Sequence, residues 1–481
     1  MVAFWIVYGV ANALLRLSMS RTLTLDDARA NELTQQFAFG YQIRQPPLYE
    51  WILWCVQQAL GPGIESHLFV RYSLIALIGV TTFGAVRAAT RSERWAAAAS
   101  LSLILSYSVG WTFHEWATQT LLLCAGCMMT VHAAINFFER PGFRNALLLG
   151  GALAFGFYAK FSFPLMAGGV LLAALSMAET RRKLADWRLL ISLTVFAVFL
   201  TPYVLWVLEV RGDVAADLSD HLINTRRGNG SPVTYGLWRL VTSVVMFLLP
   251  WIVIVGLLAP QAFMKRGSST APMPERLVLR AMIFAFLIAA VGIVLTGATN
   301  IGTRYMHPIL FIAPVYVFAR IARLAPAAAA RNYVGLAVFI AAAILLIRFI
   351  AVTDNPLTRE AERGLLMPYE RLALVLKERG LAKGTIASMN VRDAGNLRAA
   401  MPDLRVMARN SKRVQRVPHD ERQSCSLLWA EDEEDKALRL IGAQSKQVER
   451  VEILPEASGL FALRGGVWYF ARLEPNSTVC R

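Results

Sequence analysis

Eleven stretches of the chain stay apolar for long enough to cross a bilayer as helices: 2–20, 67–87, 95–112, 116–138, 143–159, 161–178, 189–208, 238–258, 281–298, 305–324 and 332–350. Each approaches the roughly 20 residues that a helix needs to span a hydrocarbon core about 30 Å thick. Between the first two runs, polar and apolar positions repeat at helical spacing over 28–38 and again over 48–60. There Leu48, Ile52, Leu53, Val56 and Leu60 share one face, with Trp51 and Trp54 beside it. This pattern predicts two helices lying at the membrane surface, the second started by Pro46–Pro47. After residue 350 the pattern changes. One helix is predicted within 355–381, followed by short strands in GTIASMNV, PDLRVMAR, CSLLWAE, QVERVEILP and GVWYFARLE. The expected architecture is an all-α polytopic membrane bundle over 1–350, with about eleven transmembrane helices and the 21–66 loop, and a small C-terminal α/β domain over 351–481.

Composition strengthens the membrane reading. The 481 residues are 56% hydrophobic and only 17% charged, with a mean hydropathy of +0.45, which excludes a soluble cytosolic enzyme. The net charge of +16 does not point to nucleic acid, because position explains it. Residues 351–481 are nearly balanced, at 21 basic against 18 acidic. Much of the excess lies in alternate loops, around Arg87/Arg91/Arg94, Arg140/Arg144, Arg181–Lys183/Arg188, Lys265/Arg266/Arg276/Arg280 and Arg320/Arg323/Arg331. The positive-inside bias places these loops and the N-terminus in the cytoplasm of a bacterial inner membrane. The loops 21–66, 113–115, Lys160, 209–237 and 299–304, and after an odd number of spans 351–481, then lie outside. The first run lacks a basic leader and a small-x-small cleavage site, so it reads as a retained span, with Arg16 snorkelling outward. The five cysteines show no metal-ligand spacing; Cys425 and Cys480 alone occupy the external domain and permit one disulfide.

The outer loops carry the residues that need a chemical reason. Asp26–Asp27 precedes a helix; a cap accounts for one acid, and the pair together can supply a base or a metal ligand. His114–Glu115 sits in a tight turn flanked by Trp111 and Trp116, as a cap or as a polar site under aromatic cover. Lys160 interrupts FGFYAKFSFPL at the tip of a hairpin, where it either snorkels or holds a phosphate. Arg304–Tyr305 and His307, with Asn300 and Thr303, form a polar cluster suited to an anion. The 209–237 loop, with Asp213, Asp217, Asp220, His221 and Arg226–Arg227, reads as a lid or acceptor loop, and the acidic run at 431–435 as a solvated loop.

Acids and bases gathered at the outer face favour chemistry on a lipid-borne substrate. Few polar groups interrupt the spans at mid-depth, where a transporter needs them, and no nucleotide-binding motif is present, so a lipid-phosphate-linked sugar is the natural activated donor. A lipid-linked substrate transporter or flippase, and a structural subunit of an envelope assembly, remain the alternatives.

Four motifs in order then resemble the polytopic glycosyltransferases that use polyprenyl-phosphate sugars, a group that includes lipid A aminoarabinose transferases, lipid galacturonosyltransferases and protein O-mannosyltransferases. Asp26–Asp27, with Gly40–Tyr41 and Gln45-Pro46-Pro47-Leu48 following, resembles the first-loop acidic motif. Glu115 after His114 resembles the second acidic position, Lys160 the Lys of a Ser/Thr-Lys hairpin with Ala159 replacing the hydroxyl residue, and Arg304–Tyr305 the Arg-Tyr before a late span. The resemblance covers roughly 1–350. It implies a GT-C fold, periplasmic catalysis and inverting transfer from a polyprenyl-phosphate sugar to a lipid, glycan or protein acceptor. Asp26 and Asp27 would be catalytic, with His114, Glu115, Lys160, Arg304, Tyr305 and His307 binding substrate. No cofactor is specified; some members use a divalent cation, and the sequence leaves that open.

Overall fold

The computed structural model describes residues 1–42, 45–116, 118–210, 231–260, 271–324, 329–352, 365–411, 417–418, 420, 422–442, 448–458, 461–463 and 465–480. Residue contacts divide the chain into two units. One comprises Met1–Gly9, Ile43–Leu48 and Ser73–Ile344; the other comprises Val10–Gln42, Tyr49–Tyr72 and Leu345–Arg481.

The first unit is helical, and its helices follow the apolar runs. Among the described residues, six helices are long and apolar enough to cross a membrane: Val2–Met19 (α1), Ile64–Thr90, Thr118–Glu139, Leu189–Glu209, Met273–Thr296 and Ala330–Ile350. The predicted span at 143–159 is the 17-residue helix Phe143–Ala159. Four further runs, expected as single spans, are each a pair of helices bent at a short break: Glu93–Leu105 with Ser108–Glu115 at 67°, Phe163–Ser176 with Ala178–Leu184 at 111°, Pro232–Leu248 with Trp251–Leu257 at 50°, and Thr303–Leu310 with Ala313–Leu324 at 52°. Pro250 accounts for the third break, since it has no N–H for the helical ladder. The sharpest bend carries Arg181, Arg182 and Lys183 away from the line of the apolar helix, which spares three charges a place in hydrocarbon. Close packing between spans relies on small residues. A Cβ on Gly126 would lie 2.8 Å from the Cα of Gly156 on the neighbouring helix, so the two backbones touch where neither has a side chain.

The second unit joins most of the first outer loop to the C-terminal domain. In the loop, helices stand at Leu25–Leu33 (α2) and Leu48–Leu60 (α3), the first displaced from the expected 28–38 and with Asp27, Ala28, Ala30, Asn31, Glu32 and Leu33 buried, and Ile64–Thr90 (α4) follows after three residues. The domain holds a five-stranded sheet ordered β2-β1-β3-β7-β4. Its strands are β1 (Thr385–Ser388), β2 (Arg405–Ala408), β3 (Cys425–Ala430), β4 (Val448–Ile453) and β7 (Gly466–Leu473), all in segments predicted as strands. β1 runs parallel to β2 and β3, whereas β7 runs antiparallel to β3 and β4. A hairpin of β5 (Glu456–Ser458) and β6 (Phe461–Leu463) was not expected; its strands are three residues each, too short for alternation to register. One side of the sheet buries Ile386, Val406, Leu428, Trp468 and Phe470 against helices Tyr369–Glu378 and Val391–Ala400. Cys425 and Cys480 form the permitted disulfide, closing a loop across 55 positions. The acidic run at 431–435, expected as a solvated loop, is instead a 3-10 turn leading into the helix Glu434–Ile441. Carboxylates at that end complement the helix dipole.

Within this domain Asp393 is a buried carboxyl. The Tyr369 hydroxyl donates to it at 2.6 Å, and Asn390 Nδ2 bridges it to Glu433 at 3.2 and 3.0 Å. Burial first, with Glu433 adding repulsion, pushes its pKa up to about 6 despite the Tyr369 and Asn390 hydrogen bonds. Because the folded pKa exceeds the unfolded value, the stabilising contribution is complete below about pH 4 and is lost as pH rises to about 6. The size is on the order of 3 kcal/mol. Asp393→Asn should flatten the fall in melting temperature of the full chain between pH 4 and 7. Identical pH slopes for the two proteins would refute this assignment.

Candidate active site

The acidic motif begins with a helix cap. Thr24 Oγ1 accepts from the Asp27 N–H at 3.4 Å and donates to Asp27 Oδ2 at 2.8 Å, so the start of α2 and the direction of the Asp27 side chain are set together. Asp27 is 4% exposed. Its two oxygens each accept from Arg71 Nη2 at 2.8 Å, and His67 Nδ1 stands 3.6 Å away. His67 and Arg71 are i,i+4 neighbours near the start of α4, which presents both to α2 on one face. Burial on its own would raise the Asp27 pKa; the Arg71 guanidinium, helped by His67 and Thr24, overrides it and holds the carboxyl well below the usual range. Tyr49 is wholly buried nearby, and its phenol is pushed well above 10 by burial and then by the Asp27 charge. It stays protonated, a neutral neighbour to the ion pair.

Asp26 differs in kind. Its side chain is 37% exposed, and its ion pair with Arg29 is a loose 3.7 Å contact on the same helix. The two adjacent acids therefore divide: Asp27 is a buried anion anchored on Arg71, and Asp26 is a partly exposed carboxylate. Sequence reading missed Arg71, His67 and Tyr49. Arg71 was detectable as a charge inside the apolar run 67–87, where an ionisable side chain needs a partner.

The remaining predicted residues belong to the first unit. His114 is buried in the short turn Phe113–Glu115, its Nε2 2.8 Å from the Tyr8 hydroxyl, and Glu115 next to it is partly exposed. Lys160 occupies the break between Phe143–Ala159 and Phe163–Ser176 in an extended conformation, and its ammonium donates to Thr120 Oγ1 at 3.0 Å. The guanidinium of exposed Arg304 lies 5.1 Å over the Tyr305 ring, with Nη2 3.4 Å from the Tyr305 hydroxyl. His307 turns inward. Its Nδ1 donates to the Arg304 carbonyl at 2.8 Å, which leaves Nε2 to accept from the Ser108 hydroxyl at 3.1 Å. Phe113 and Phe247 flank the imidazole at 5.8 and 5.0 Å, so His307 braces the Arg304 backbone from within, while Arg304 itself faces out. The unit thus carries an ammonium at a helix break and an exposed guanidinium–phenol pair in the 3-10 turn Thr303–Met306, each a group suited to an anion.

Residues 211–230, which hold Asp213, Asp217, Asp220, His221 and Arg226–Arg227, lie outside the described residues. Among the described residues, no three His, Cys, Asp or Glu side chains gather where they could hold a metal ion.

Comparison with known proteins adds to this geometry. Residues 44–206 match the family described as dolichyl-phosphate-mannose-protein mannosyltransferase. RgtA of Rhizobium johnstonii, a lipopolysaccharide core galacturonosyltransferase, is 28% identical over 321 residues, 65% of this chain; the match spans 62% of that relative, less than two thirds of its length. RgtB of the same organism, also a lipopolysaccharide core galacturonosyltransferase, is 25% identical over 410 residues, covering 83% of this chain and 81% of its own. The crystal structure of ArnT from Cupriavidus metallidurans bound to undecaprenyl phosphate superposes with a TM-score of 0.64 at 14% identity, over 100% of this chain and 99% of that one. The apo form of ArnT gives 0.63 at 15% identity, over 97% and 98%. The shared fold is the GT-C fold.

Proposed function

We propose that the chain is a polytopic GT-C-fold glycosyltransferase drawing on polyprenyl-phosphate sugars, a reading supported by the family match, the named relatives and the shared fold, and that it transfers a sugar from such a donor, with inversion, to an envelope acceptor at the periplasmic face of the inner membrane. The acceptor class that the relatives favour is lipopolysaccharide. The observation that carries the reading is the contrast between the adjacent acids, a partly exposed Asp26 beside a buried Asp27 locked onto Arg71. In a single displacement the Asp26 carboxylate takes the proton of the acceptor hydroxyl. The acceptor oxygen bonds to the sugar C1, and the C1–O bond to phosphate breaks. Polyprenyl phosphate leaves with the electron pair, and Lys160 and Arg304 stabilise the negative charge that develops on it. Residues 1–350 form the transferase domain in this reading, and 351–481 a periplasmic domain.

The test is mass-spectrometric detection of a glycosylated acceptor after incubation of the purified protein with defined polyprenyl-phosphate sugars. Translocation of donor without product would instead favour a flippase. Lys160→Met and Arg304→Met should each lower kcat/KM by roughly 10–100-fold, the loss of a charge-assisted hydrogen bond worth about 1.5–3 kcal/mol. Arg87→Met, which removes an exposed pairing with Glu93, should cost little. Equal losses at all three positions would remove the basis for a phosphate site.

A further inference from the structure

The end of α2 remote from Asp26 is held by the C-terminal domain. On helix Val391–Ala400, Gly395 faces Ala28 so closely that a Cβ would lie 2.0 Å from the Ala28 carbonyl oxygen; any other residue there would push the two helices apart. The Gly395 carbonyl accepts from Asn31 Nδ2 at 2.8 Å, and Asn396 Oδ1 accepts from the Leu23 N–H at 2.7 Å. One turn on, Arg398 is 8% exposed. Its guanidinium donates to the carbonyl of Asn31, to the carbonyl and hydroxyl of Thr34 at 2.9 Å each, and to Gln57 Oε1 at 3.1 Å. Asn31 and Thr34 expose the last carbonyls of α2, the negative end of its dipole, and Gln57 belongs to α3. Gln35 completes the attachment. Its side-chain amide exchanges two hydrogen bonds of 2.9 Å with the Val406 backbone on β2, an edge strand, in the manner of one more strand residue.

We infer that helix Val391–Ala400 is a positioning element of the transferase, and that Arg398 is its principal residue. By capping α2 and tying it to α3, Arg398 sets the place of Asp26 without touching substrate. The inference rests on the reading of Asp26 as the base. It gives the C-terminal domain a part in the reaction beyond forming a fold of its own. Arg is suited to this because its planar fork reaches two carbonyls and an amide together, whereas a Lys ammonium is a single point of attachment.

Full-length Arg398→Met, Arg398→Lys and Asn396→Ala proteins test this by two readouts, hydrogen exchange and steady-state transfer kinetics. Arg398→Met should raise exchange at least tenfold in 25–36 while β1, β3 and β7 keep their protection and the Cys425–Cys480 disulfide still forms. It should lower kcat about tenfold or more and leave the donor KM within twofold. Arg398→Lys should recover part of both, and Asn396→Ala should show the same pattern more weakly. Unchanged exchange in 25–36 would overturn the inference, as would loss of protection throughout 385–473, which would make Arg398 a folding residue of its own domain. A rise confined to the acceptor KM would also overturn it, by making the helix part of an acceptor site. If Asp26→Asn retains transfer, the functional reading fails while the exchange experiment still reports on the clamp.

Discussion

Asp26→Asn should lower kcat by about 10²–10⁴-fold, the usual contribution of a general base, with little change in the abundance of membrane-inserted protein. The amide keeps the shape of the carboxylate and removes the capacity to take a proton. The side chain is 37% exposed, and a charge so placed contributes little to stability. Donor binding should be preserved, which isolates the loss in the chemical step. Full activity of Asp26→Asn with a defined polyprenyl-phosphate sugar would end the assignment of Asp26 as base.

Arg71→Met should damage the protein in the opposite way, through the fold first. The Asp27–Arg71 pair is almost completely buried, at 4% and 1% exposure. Removing one member leaves a buried carboxylate uncompensated, at a cost of about 3–5 kcal/mol. Because Arg71 holds the Asp27 carboxyl well below its ordinary range, the contribution is present at neutral pH and is lost as pH falls through the depressed folded value. The melting temperature should therefore drop sharply in Arg71→Met at pH 7, and adding Asp27→Asn should recover much of the loss. That non-additivity is the signature of the pair. Strictly additive losses would show that the two residues do not depend on each other.

The contrast between the adjacent acids marks where sequence reading stops. Apolar runs located the spans because hydrophobic length is a local property, and alternation located β1 to β4 and β7 for the same reason. The bends were not read from hydropathy, which is blind to direction, although Pro250 and Pro314 stand at two of them. Asp26 and Asp27 were visible as a motif, but which acid is buried in an ion pair depends on Arg71, 44 positions away within an apolar run. That arginine could have been questioned, because a charge in a span needs a partner, yet its partner could not be named. His307 was expected to line an anion site with Arg304. The cage of Ser108, Phe113 and Phe247 around it comes from two other elements that no local pattern connects.

The attachment of α2 to helix Val391–Ala400 also bears on how the protein is made. Leu23 and Asn31 pair with Asn396 and Gly395 across 373 and 364 positions. A ribosome adding about 5–20 residues per second takes roughly 20–70 s to travel that distance. For all that time the Leu23 amide and the Asn31 side-chain amide wait for these two partners, while Gln57 and Arg71, 26 and 44 positions beyond Asn31 and Asp27, are made early and already pair with α2. The first outer loop is among the first parts of the chain to be synthesised, and its contacts with Gly395, Asn396 and Arg398 are the ones it waits longest for. Completion of the α2 attachment thus waits on the synthesis of helix Val391–Ala400, and a nascent chain halted before residue 395 carries Asp26 on a helix held by Thr24, Gln57 and Arg71 but not by Gly395, Asn396 and Arg398.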